Sequence, residues 1–301
     1  MIDTPANKPF TIVVGIPTLG RREVLRETLS QLEKQERRPD RILICPVRGD
    51  DVDWEHAGAL AIPVERIEGP QGSCAQRNAI LDAVGDADAI LFLDDDYVLA
   101  DGFIAEVERL FLQYPDIAAV TAHTVVDGVR GPGIDMPEVL AILAKDQPPE
   151  MGHLSPVDVA PSGDSAFRIA AIRQAGARFD ENLPLYAWCE DVDFSGQFRG
   201  QGRIVLSTAL RGVHRGVKRG RTSGLRFGYS QIANPIYVVR KGTMRRSRAV
   251  RFVVGNLAAN LLGSLWPQGF IDRRGRLKGN LLALWDLVRG RLAPQRILTL
   301  G

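Results

Sequence analysis

Five consecutive apolar residues run directly into three consecutive aspartates in the first third of the chain. The segment Ala89–Leu93 reads Ala-Ile-Leu-Phe-Leu, and Asp94, Asp95 and Asp96 follow it. A run without polar alternation predicts a strand buried on both faces, as in a parallel sheet. Ligands of open α/β sheets bind beyond the carboxyl ends of such strands, and clustered carboxylates repel one another unless a cation lies among them. This first acidic cluster therefore predicts a Mg²⁺ or Mn²⁺ site that brings a diphosphate with it; a solvated acidic turn is the alternative.

Strand-like and helix-like segments alternate around that run. The spacing of apolar residues predicts strands at 10–16, 41–45, 89–93 and 203–207, and helices at 21–35, 76–84 and 101–111. This order predicts an α/β fold in which a mostly parallel, doubly wound sheet is flanked by helices. With 301 residues, 45% of them hydrophobic, the chain is long enough to bury a full core. Residues 128–161 contain six prolines and are predicted to be a loop-rich insertion.

A second acidic cluster, formed by Glu190, Asp191 and Asp193, stands in a segment with helix-like apolar spacing. Acidic residues at a helix start are favoured by the helix dipole, so capping is one interpretation. The other interpretation is catalytic, because a carboxylate near a metal site can deprotonate an incoming hydroxyl. The residues alone leave both open.

His214 begins a basic stretch that is punctuated by glycines. Arginine offers paired donors to phosphate oxygens, and glycine lets the backbone approach a ligand closely. We therefore predict that His214 binds the metal and that the arginines hold phosphate; a structural histidine in a solvated basic loop is the alternative. The cations of this stretch are Arg215, Lys218, Arg219, Arg221 and Arg226.

The two parts of the chain carry opposite charge. Residues 203–301 contain 20 of the 38 Lys and Arg but only 2 of the 36 Asp and Glu, a net charge of +18, so the remainder carries −16. Such an asymmetry predicts an anionic partner for the last third, either a membrane surface, a lipid phosphate or nucleic acid. Two apolar helical segments, 250–266 and 281–292, lie in it. They are expected to pack on the catalytic domain, to lie on an anionic membrane or to form a homodimer interface.

Several motifs in this order resemble the family 2 glycosyltransferases of the GT-A fold. The resemblance covers roughly residues 10–220, and five motifs in the right order make it specific. Its segments are Val14-Gly15-Ile16-Pro17-Thr18, Cys74-Ala75-Gln76-Arg77-Asn78-Ala79, Phe92-Leu93-Asp94-Asp95-Asp96, Ser162-Gly163-Asp164-Ser165-Ala166-Phe167-Arg168 and Trp188-Cys189-Glu190-Asp191-Val192-Asp193-Phe194. It implies a GT-A catalytic domain at residues 1–220, followed by a basic helical extension at 221–301.

The resemblance also implies a role for each site residue. Asp191 would be the catalytic base of an inverting transfer from a nucleoside-diphosphate sugar, and Trp188 and Glu190 would contact the acceptor. Mn²⁺ or Mg²⁺ would be held by Asp94, Asp96 and His214. The usual aspartate after the second strand is replaced here by Pro46-Val47-Arg48-Gly49-Asp50-Asp51, where Asp50 is the substitute. The nucleotide and donor would be bound by Pro17, Thr18, Asp50, Arg77, Asp94, Asp95, Asp164, Arg215 and Arg221.

The expected acceptor is a glycan or a lipid-linked glycan of bacterial surface-polysaccharide synthesis. Three scattered cysteines and a start without an apolar leader predict a cytoplasmic protein, with peripheral association to the inner face of the membrane as an added expectation. A nucleotidyltransferase is a rival, but residues 17–22 are a poor version of its phosphate loop. A non-catalytic basic protein that binds membrane or nucleic acid is the other rival. Nucleic acid is not expected, because the basic part has few aromatic residues for base stacking.

Overall fold

The chain forms an α/β body followed by a group of long helices in the computed structural model, which describes residues 8–147, 149, 152–218, 222–266 and 269–300. Its strands are β1 (Ile12–Thr18), β2 (Arg41–Pro46), β3 (Val64–Arg66), β4 (Ala89–Leu93), β5 (Tyr97–Leu99), β6 (Ile117–Asp127), β7 (Leu154–Pro156), β8 (Asp164–Arg168) and β9 (Arg203–His214). Its helices are α1 (Arg22–Leu32), α2 (Trp54–Gly58), α3 (Ser73–Ala83), α4 (Phe103–Gln113), α5 (Met136–Lys145), α6 (Ile169–Ala175), α7 (Glu190–Gly196), α8 (Gly224–Lys241), α9 (Arg246–Leu265) and α10 (Arg273–Val288).

The described strands join in one mixed sheet. Their order is β3-β2-β1-β4-β8-β6-β9-β5, with β7 paired to β9. Strands β3, β2, β1 and β4 run parallel to one another, whereas β8 runs antiparallel between β4 and β6. The predicted α/β fold flanked by helices is confirmed. The sheet is mixed rather than mostly parallel because β8, together with β5 and β7, enters in the opposite direction.

Strand β4 is buried on both faces, as its unbroken apolar sequence predicts. Leu91 and Leu93 belong to the core on one side of the sheet, and Ile90 and Phe92 to the core on the other. Each of these four side chains is fully buried. Because both faces are covered, the polar chain that follows β4 emerges only at its carboxyl edge, and that edge is where the first acidic cluster lies.

Three predicted boundaries need correction. The segment 128–161, predicted as loop-rich, contains α5 and β7, because Asp135 caps the helix through the Glu138 N–H and Pro137 stands at its tolerant start. The late strand continues well beyond residue 207, so His214 is the last residue of β9 rather than part of a loop. The segment 224–241, to which no helix was assigned, is α8, which holds Pro235 in its interior.

Helices α8, α9 and α10 pack on one another and on the second acidic cluster. Tyr229 of α8 donates to Asp286 of α10 at 2.9 Å, and Asn234 of α8 donates to the carbonyl of Trp188 at 2.8 Å. Among the described helices, none is long and apolar enough to cross a membrane. The predicted domain boundary at residues 220 and 221 lies outside the described residues and stays a prediction.

Candidate active site

A cavity of about 600 Å³ lies beyond the carboxyl ends of β1 and β4 and gathers most of the predicted site residues. This is the position at which α/β sheets bind ligands. Its wall includes members of both acidic clusters, which are far apart in sequence. The predicted residues that line it are Pro17, Thr18, Arg77, Asp94, Asp95, Asp164, Trp188, Glu190, Asp191 and His214.

Strand pairing brings His214 to the first acidic cluster. Tyr97, directly after the cluster, is the register partner of His214 in the antiparallel pair of β5 and β9. The Arg215 N–H donates to the Asp96 carbonyl at 2.9 Å, and the Asp94 N–H donates to the Gly163 carbonyl at 2.9 Å. These backbone bonds hold residues separated by 119 and 69 positions in one fixed arrangement.

Asp94, Asp96 and His214 form a set that could hold a metal ion. Each offers one ligand atom, and the three atoms lie within 4.8 Å of one another. Two carboxylates and one imidazole suit Mn²⁺ well and also accommodate Mg²⁺. The other ring nitrogen of His214, Nδ1, lies 3.1 Å from a carboxylate oxygen of Asp127, so the ring is oriented from behind. The donor set therefore fits the predicted ion.

The surroundings of Asp96 favour its charged form. Burial opposes ionisation, but His214, Arg21 and the Val217 N–H, which donates at 2.8 Å, outweigh it and lower the pKa of Asp96 to about 2. Burial likewise opposes protonation of His214, yet its bonds to Asp127 and Asp96 raise the pKa of the imidazole to about 10. Asp96 is therefore ionised, and a bound metal ion would take the place of the imidazole proton between Asp96 and His214.

The carboxylate of the middle residue of the first acidic cluster already accepts hydrogen bonds from other side chains. Asp95 accepts from Thr18 Oγ1 at 2.7 Å and from Arg21 Nη1 at 2.7 Å, and only 6% of its side chain is exposed. Its carbonyl also accepts from Thr28. Asp95 therefore ties β1 and α1 to the cluster. Arg21 was not predicted as a site residue, because its role depends on this distant partner.

Arg77 connects the two acidic clusters. Its Nη2 donates to Asp94 Oδ1 at 3.0 Å and to the Ser162 carbonyl at 3.1 Å, and its Nη1 lies 3.8 Å from Glu190 Oε1. The side chain is 4% exposed and extends from α3 into the cavity wall. A buried guanidinium with carboxylates on both sides fixes the two clusters relative to each other.

The segment before the second acidic cluster has an uncommon backbone. Leu185, Ala187 and Cys189 adopt left-handed conformations, with φ of 58°, 56° and 73°. Such conformations cost about 1 kcal/mol or more each in residues with a side chain, and they recur where a site requires them. The segment is held by the Ser73 N–H, which donates to the Leu185 carbonyl at 2.8 Å. It positions Trp188, Glu190 and Asp191 in the cavity wall.

Glu190 and Asp191 compete for ionisation. Burial raises the pKa of Asp191, and its carboxylate accepts from the Val192 N–H at 2.8 Å. Burial and the neighbouring Asp191 charge raise the pKa of Glu190 to about 8, although Ser162 donates to it at 2.8 Å. The arrangement favours one charged and one neutral carboxyl near neutral pH, with Asp191 as the charged member.

The last member of the second acidic cluster is a structural residue. Asp193 is fully buried and accepts from Thr243 Oγ1 and from Lys241 Nζ, the latter at 2.7 Å. Lys241 also donates to Asp180 at 2.8 Å. This clamp fastens α7, which carries Asp191, to the end of α8. Lys241 and Thr243 were not predicted, because nothing local in the sequence links them to Asp193.

Four further predicted residues have distinct placements. Asp164 is buried in the cavity wall against Thr124, and burial raises its pKa to about 6. Asp50 is exposed and does not line the cavity. Arg215 points away from it, because its guanidinium lies 2.6 Å from Glu27. Arg221 lies outside the described residues. Among the described cations of the basic stretch, Arg226 lines the cavity.

Comparison with known proteins agrees with this geometry. Residues 9–145 match the model of a family described as "Glycosyltransferase like family 2". A search of curated proteins found no match. The structure resembles that of S. aureus TarS 1-349, with 14% identity, a TM-score of 0.57, and coverage of 96% of this chain and 82% of that one.

Two ligand-bound structures are similar to the same extent. S. aureus TarS 1-349 in complex with UDP-GlcNAc has 13% identity, a TM-score of 0.58, and coverage of 96% of this chain and 83% of that one. GalNAc-T7 with UDP, GalNAc and Mn²⁺ has 13% identity, a TM-score of 0.53, and coverage of 94% and 58%. At these identities the likeness concerns the fold, and it confirms the predicted GT-A-like architecture.

Proposed function

We propose that this chain, a glycosyltransferase with a family 2 domain at residues 9–145, moves a sugar from a nucleoside diphosphate to an acceptor hydroxyl with inversion at the anomeric carbon. The observation that carries the proposal is one cavity that is lined in one part by Asp94 and His214, which form the possible metal set with Asp96, and in another part by Asp191. A metal–diphosphate site and a candidate base beside one space are the two parts that such a reaction needs.

The donor would occupy the part of the cavity nearest the first acidic cluster. Asp94, Asp96 and His214 would hold Mn²⁺ or Mg²⁺, which would neutralise charge on the diphosphate. Pro17 and Thr18, at the end of β1, would contact the nucleotide base. Arg226 would add a cation near the phosphates, a role we assigned to Arg215 and Arg221 from the sequence.

Asp191 would act on the acceptor. As the charged member of its carboxyl pair it takes the hydroxyl proton, while the acceptor oxygen forms a bond to the anomeric carbon. The bond from that carbon to the diphosphate oxygen breaks, and its electron pair leaves with the diphosphate. The neutral form of Glu190 suits an acceptor-side role, since a protonated carboxyl can donate a hydrogen bond to a sugar hydroxyl.

Aromatic side chains would form the acceptor side. Tyr186 and Trp188 both line the cavity, and Tyr186 is 56% exposed there. Flat apolar rings with one polar atom suit the faces of sugar rings. We propose a glycan or lipid-linked glycan acceptor, as in bacterial surface-polysaccharide synthesis, with the protein acting in the cytoplasm at the inner face of the membrane.

Thermal unfolding with a panel of nucleotides tests the donor site. The protein would be heated with UDP, GDP or dTDP, each with and without Mn²⁺. UDP is tested first, because the two similar structures with bound ligands hold UDP-GlcNAc or UDP. A ligand that binds only the folded state raises the unfolding temperature by mass action. We expect one diphosphate to do so in the presence of Mn²⁺, and much less in Asp96→Asn. If none of the nucleotides raised the unfolding temperature in a metal-dependent way, the proposal would be overturned.

A further inference from the structure

Helix α9 presents a stripe of apolar residues to solvent and turns two amides, Asn256 and Asn260, toward the protein. Val250, Val254, Leu261 and Leu265 are each more than half exposed. At 100° per residue they fall within an arc of about 60° on one side of the helix. Of the twenty residues of α9, only Ala249 and Asn260 are buried. A helix that served only to cover the catalytic body would be turned the other way.

Hydrogen bonds between buried amides fix α9 in this orientation. Asn260 donates to Gln231 of α8 at 2.7 Å and to Asn280 of α10 at 2.8 Å, and Asn280 donates to the Gly228 carbonyl at 2.6 Å. Gln231 also donates to Asn256 at 2.6 Å. Turning α9 to bury its apolar side would leave these amides without their partners, which costs free energy for each. The outward apolar side is thus built into the bundle.

Helix α10 repeats the pattern. Leu281, Trp285 and Val288, spaced by four and three residues, are 55%, 54% and 82% exposed. The Arg274 guanidinium donates to the Ser264 carbonyl at 3.2 Å, so the start of this exposed side adjoins the end of α9. Among the described residues, eleven of the fifteen large hydrophobics that are exposed lie between Val250 and Leu298. We call the exposed side of α9 and α10, with Trp266 between them, the apolar platform.

The charges around the apolar platform are basic. Exposed cations on or next to the two helices are Arg246, Arg251, Arg274, Lys278, Arg289 and Arg291. The one acidic residue within the two helices, Asp286, is buried against Tyr229 and Arg296. Arg289 stacks on Trp285 with its guanidinium carbon 4.2 Å from the ring centre. A second copy of the chain would bring these like charges together, and nucleic acid would leave the leucines exposed.

We infer that the apolar platform docks the protein on an anionic lipid bilayer, with α9 and α10 lying in its surface. Leucine, valine and tryptophan would enter the headgroup boundary while the surrounding arginines meet lipid phosphates. No described helix is able to cross the bilayer, so the contact is a surface contact. The bilayer would be the anionic partner that the positive charge of residues 203–301 predicts.

The apolar platform is also linked to the proposed acceptor side. Phe252, on the inner side of α9, lies against Trp188, with ring centres 6.1 Å apart. Asn234 of α8 holds the backbone of the same tryptophan. One helix layer therefore separates the lipid surface from the cavity wall. This link to a lipid-linked acceptor rests on the proposed function, whereas docking itself does not.

Vesicle flotation of the purified full chain tests docking without donor or turnover. Vesicles of phosphatidylcholine alone are compared with vesicles that also contain phosphatidylglycerol, at low and high salt. We expect binding that needs the anionic lipid and weakens with salt, and a blue shift of tryptophan fluorescence that brominated lipid quenches. Lys278→Glu should weaken binding at least about fivefold, while Lys34→Glu on the catalytic body should not.

A second pair of variants tests how much the exposed apolar side chains contribute to vesicle binding. Val254→Gln, Leu261→Gln and Leu265→Gln together should weaken binding at least about tenfold without lowering the unfolding temperature, since all three are exposed. Leu112→Gln with Leu140→Gln, which changes exposed leucines of α4 and α5, is the matched control and should bind as wild type. Binding that ignores the triple change, or a wild-type chain that stays off anionic vesicles and instead dimerises or binds DNA, would overturn the inference.

Discussion

The two acidic clusters are built alike from different parts of the chain. In each, one carboxylate is bound by protein donors and the others line the cavity or take part in the metal set. Asp95 is held by Thr18 and Arg21, and Asp193 by Lys241 and Thr243. Under the proposed function, Asp94 and Asp96 would bind a cation and Asp191 would take a proton. Asp95 and Asp193 fasten the scaffold, and the other carboxylates would supply the chemistry.

The two clusters differ in how their surroundings affect the ionisation of the carboxyl groups. In the first, His214, Arg21 and a backbone N–H outweigh burial and lower the pKa of Asp96, so that its carboxyl group is charged. In the second, burial raises the pKa of both Asp191 and Glu190, so a proton is retained. The first arrangement suits a cation site, and the second suits proton transfer near neutral pH. The same residue types serve two purposes because their neighbours differ.

Asp191→Asn is expected to have the largest effect on activity. The amide keeps the size of the side chain and can still accept from the Val192 N–H, but it cannot take a proton. Removal of a general base lowers kcat by about 10²- to 10⁴-fold. Release of nucleoside diphosphate from a panel of UDP-sugars, with water or added sugars as acceptors, measures this. The unfolding temperature should not fall, because a carboxyl whose burial opposes its charge is replaced by a neutral group.

Asp193→Asn, in the same cluster, should lower the stability of the fold, which Asp191→Asn should not. It leaves Lys241 with one carboxylate fewer and weakens the clamp between α7 and α8, at a cost of about 3 kcal/mol in the free energy of unfolding. Urea unfolding of this variant beside Asp191→Asn measures the contrast. If Asp193→Asn were as stable as wild type while Asp191→Asn unfolded easily, the division of roles in this cluster would be reversed.

Thr243→Val tests the same clamp with a smaller change. The substitution keeps the shape of the side chain and removes the hydroxyl that donates to Asp193, so about 1–2 kcal/mol of stability should be lost. Thr208→Val, which removes a hydroxyl that accepts from the exposed His153 N–H, is the control and should lose less. Equal losses would mean that the buried clamp contributes no more than a surface contact.

Glu190→Gln should change the pH dependence of stability. The folded protein holds the Glu190 proton up to about pH 8, whereas the unfolded chain releases it near the ordinary value of about 4.5. Between these values the folded state binds more protons, so this group lowers stability as pH rises, and the loss is complete above pH 8. The variant should therefore gain on wild type across that window. Glu23→Gln, which removes an exposed carboxyl group on α1, is the matched control.

Local patterns predicted the elements that depend on local chemistry. The first and last residues of β4 were predicted correctly, because a strand buried on both faces has an unbroken apolar sequence and ends where the aspartates begin. The metal set of Asp94, Asp96 and His214 was assembled from a family resemblance, and strand register brings its members together. Asp191 likewise lies in the cavity wall, although its catalytic role stays a prediction.

Long-range partners were beyond the reach of sequence patterns. Arg21 and Lys241 meet their carboxylates only through the fold, at sequence separations of 74 and 48 residues. Asp50 was chosen by its position after β2, but its neighbour Asp51 is the buried one, where it accepts from the Gly20 and Arg48 N–H groups. Helix α8 was missed because Pro235 and several glycines suggest a break, yet packing on α10 stabilises it.

The division of roles between the two clusters is tested most directly by calorimetric titration of wild type, Asp96→Asn and Asp191→Asn. The titrant is the nucleoside diphosphate that stabilises the protein most, in the presence of Mn²⁺. We predict that Asp191→Asn binds within about threefold of wild type, since its side chain acts on the acceptor, and that Asp96→Asn binds at least about tenfold more weakly. Weakened binding in Asp191→Asn together with unchanged binding in Asp96→Asn would contradict the account.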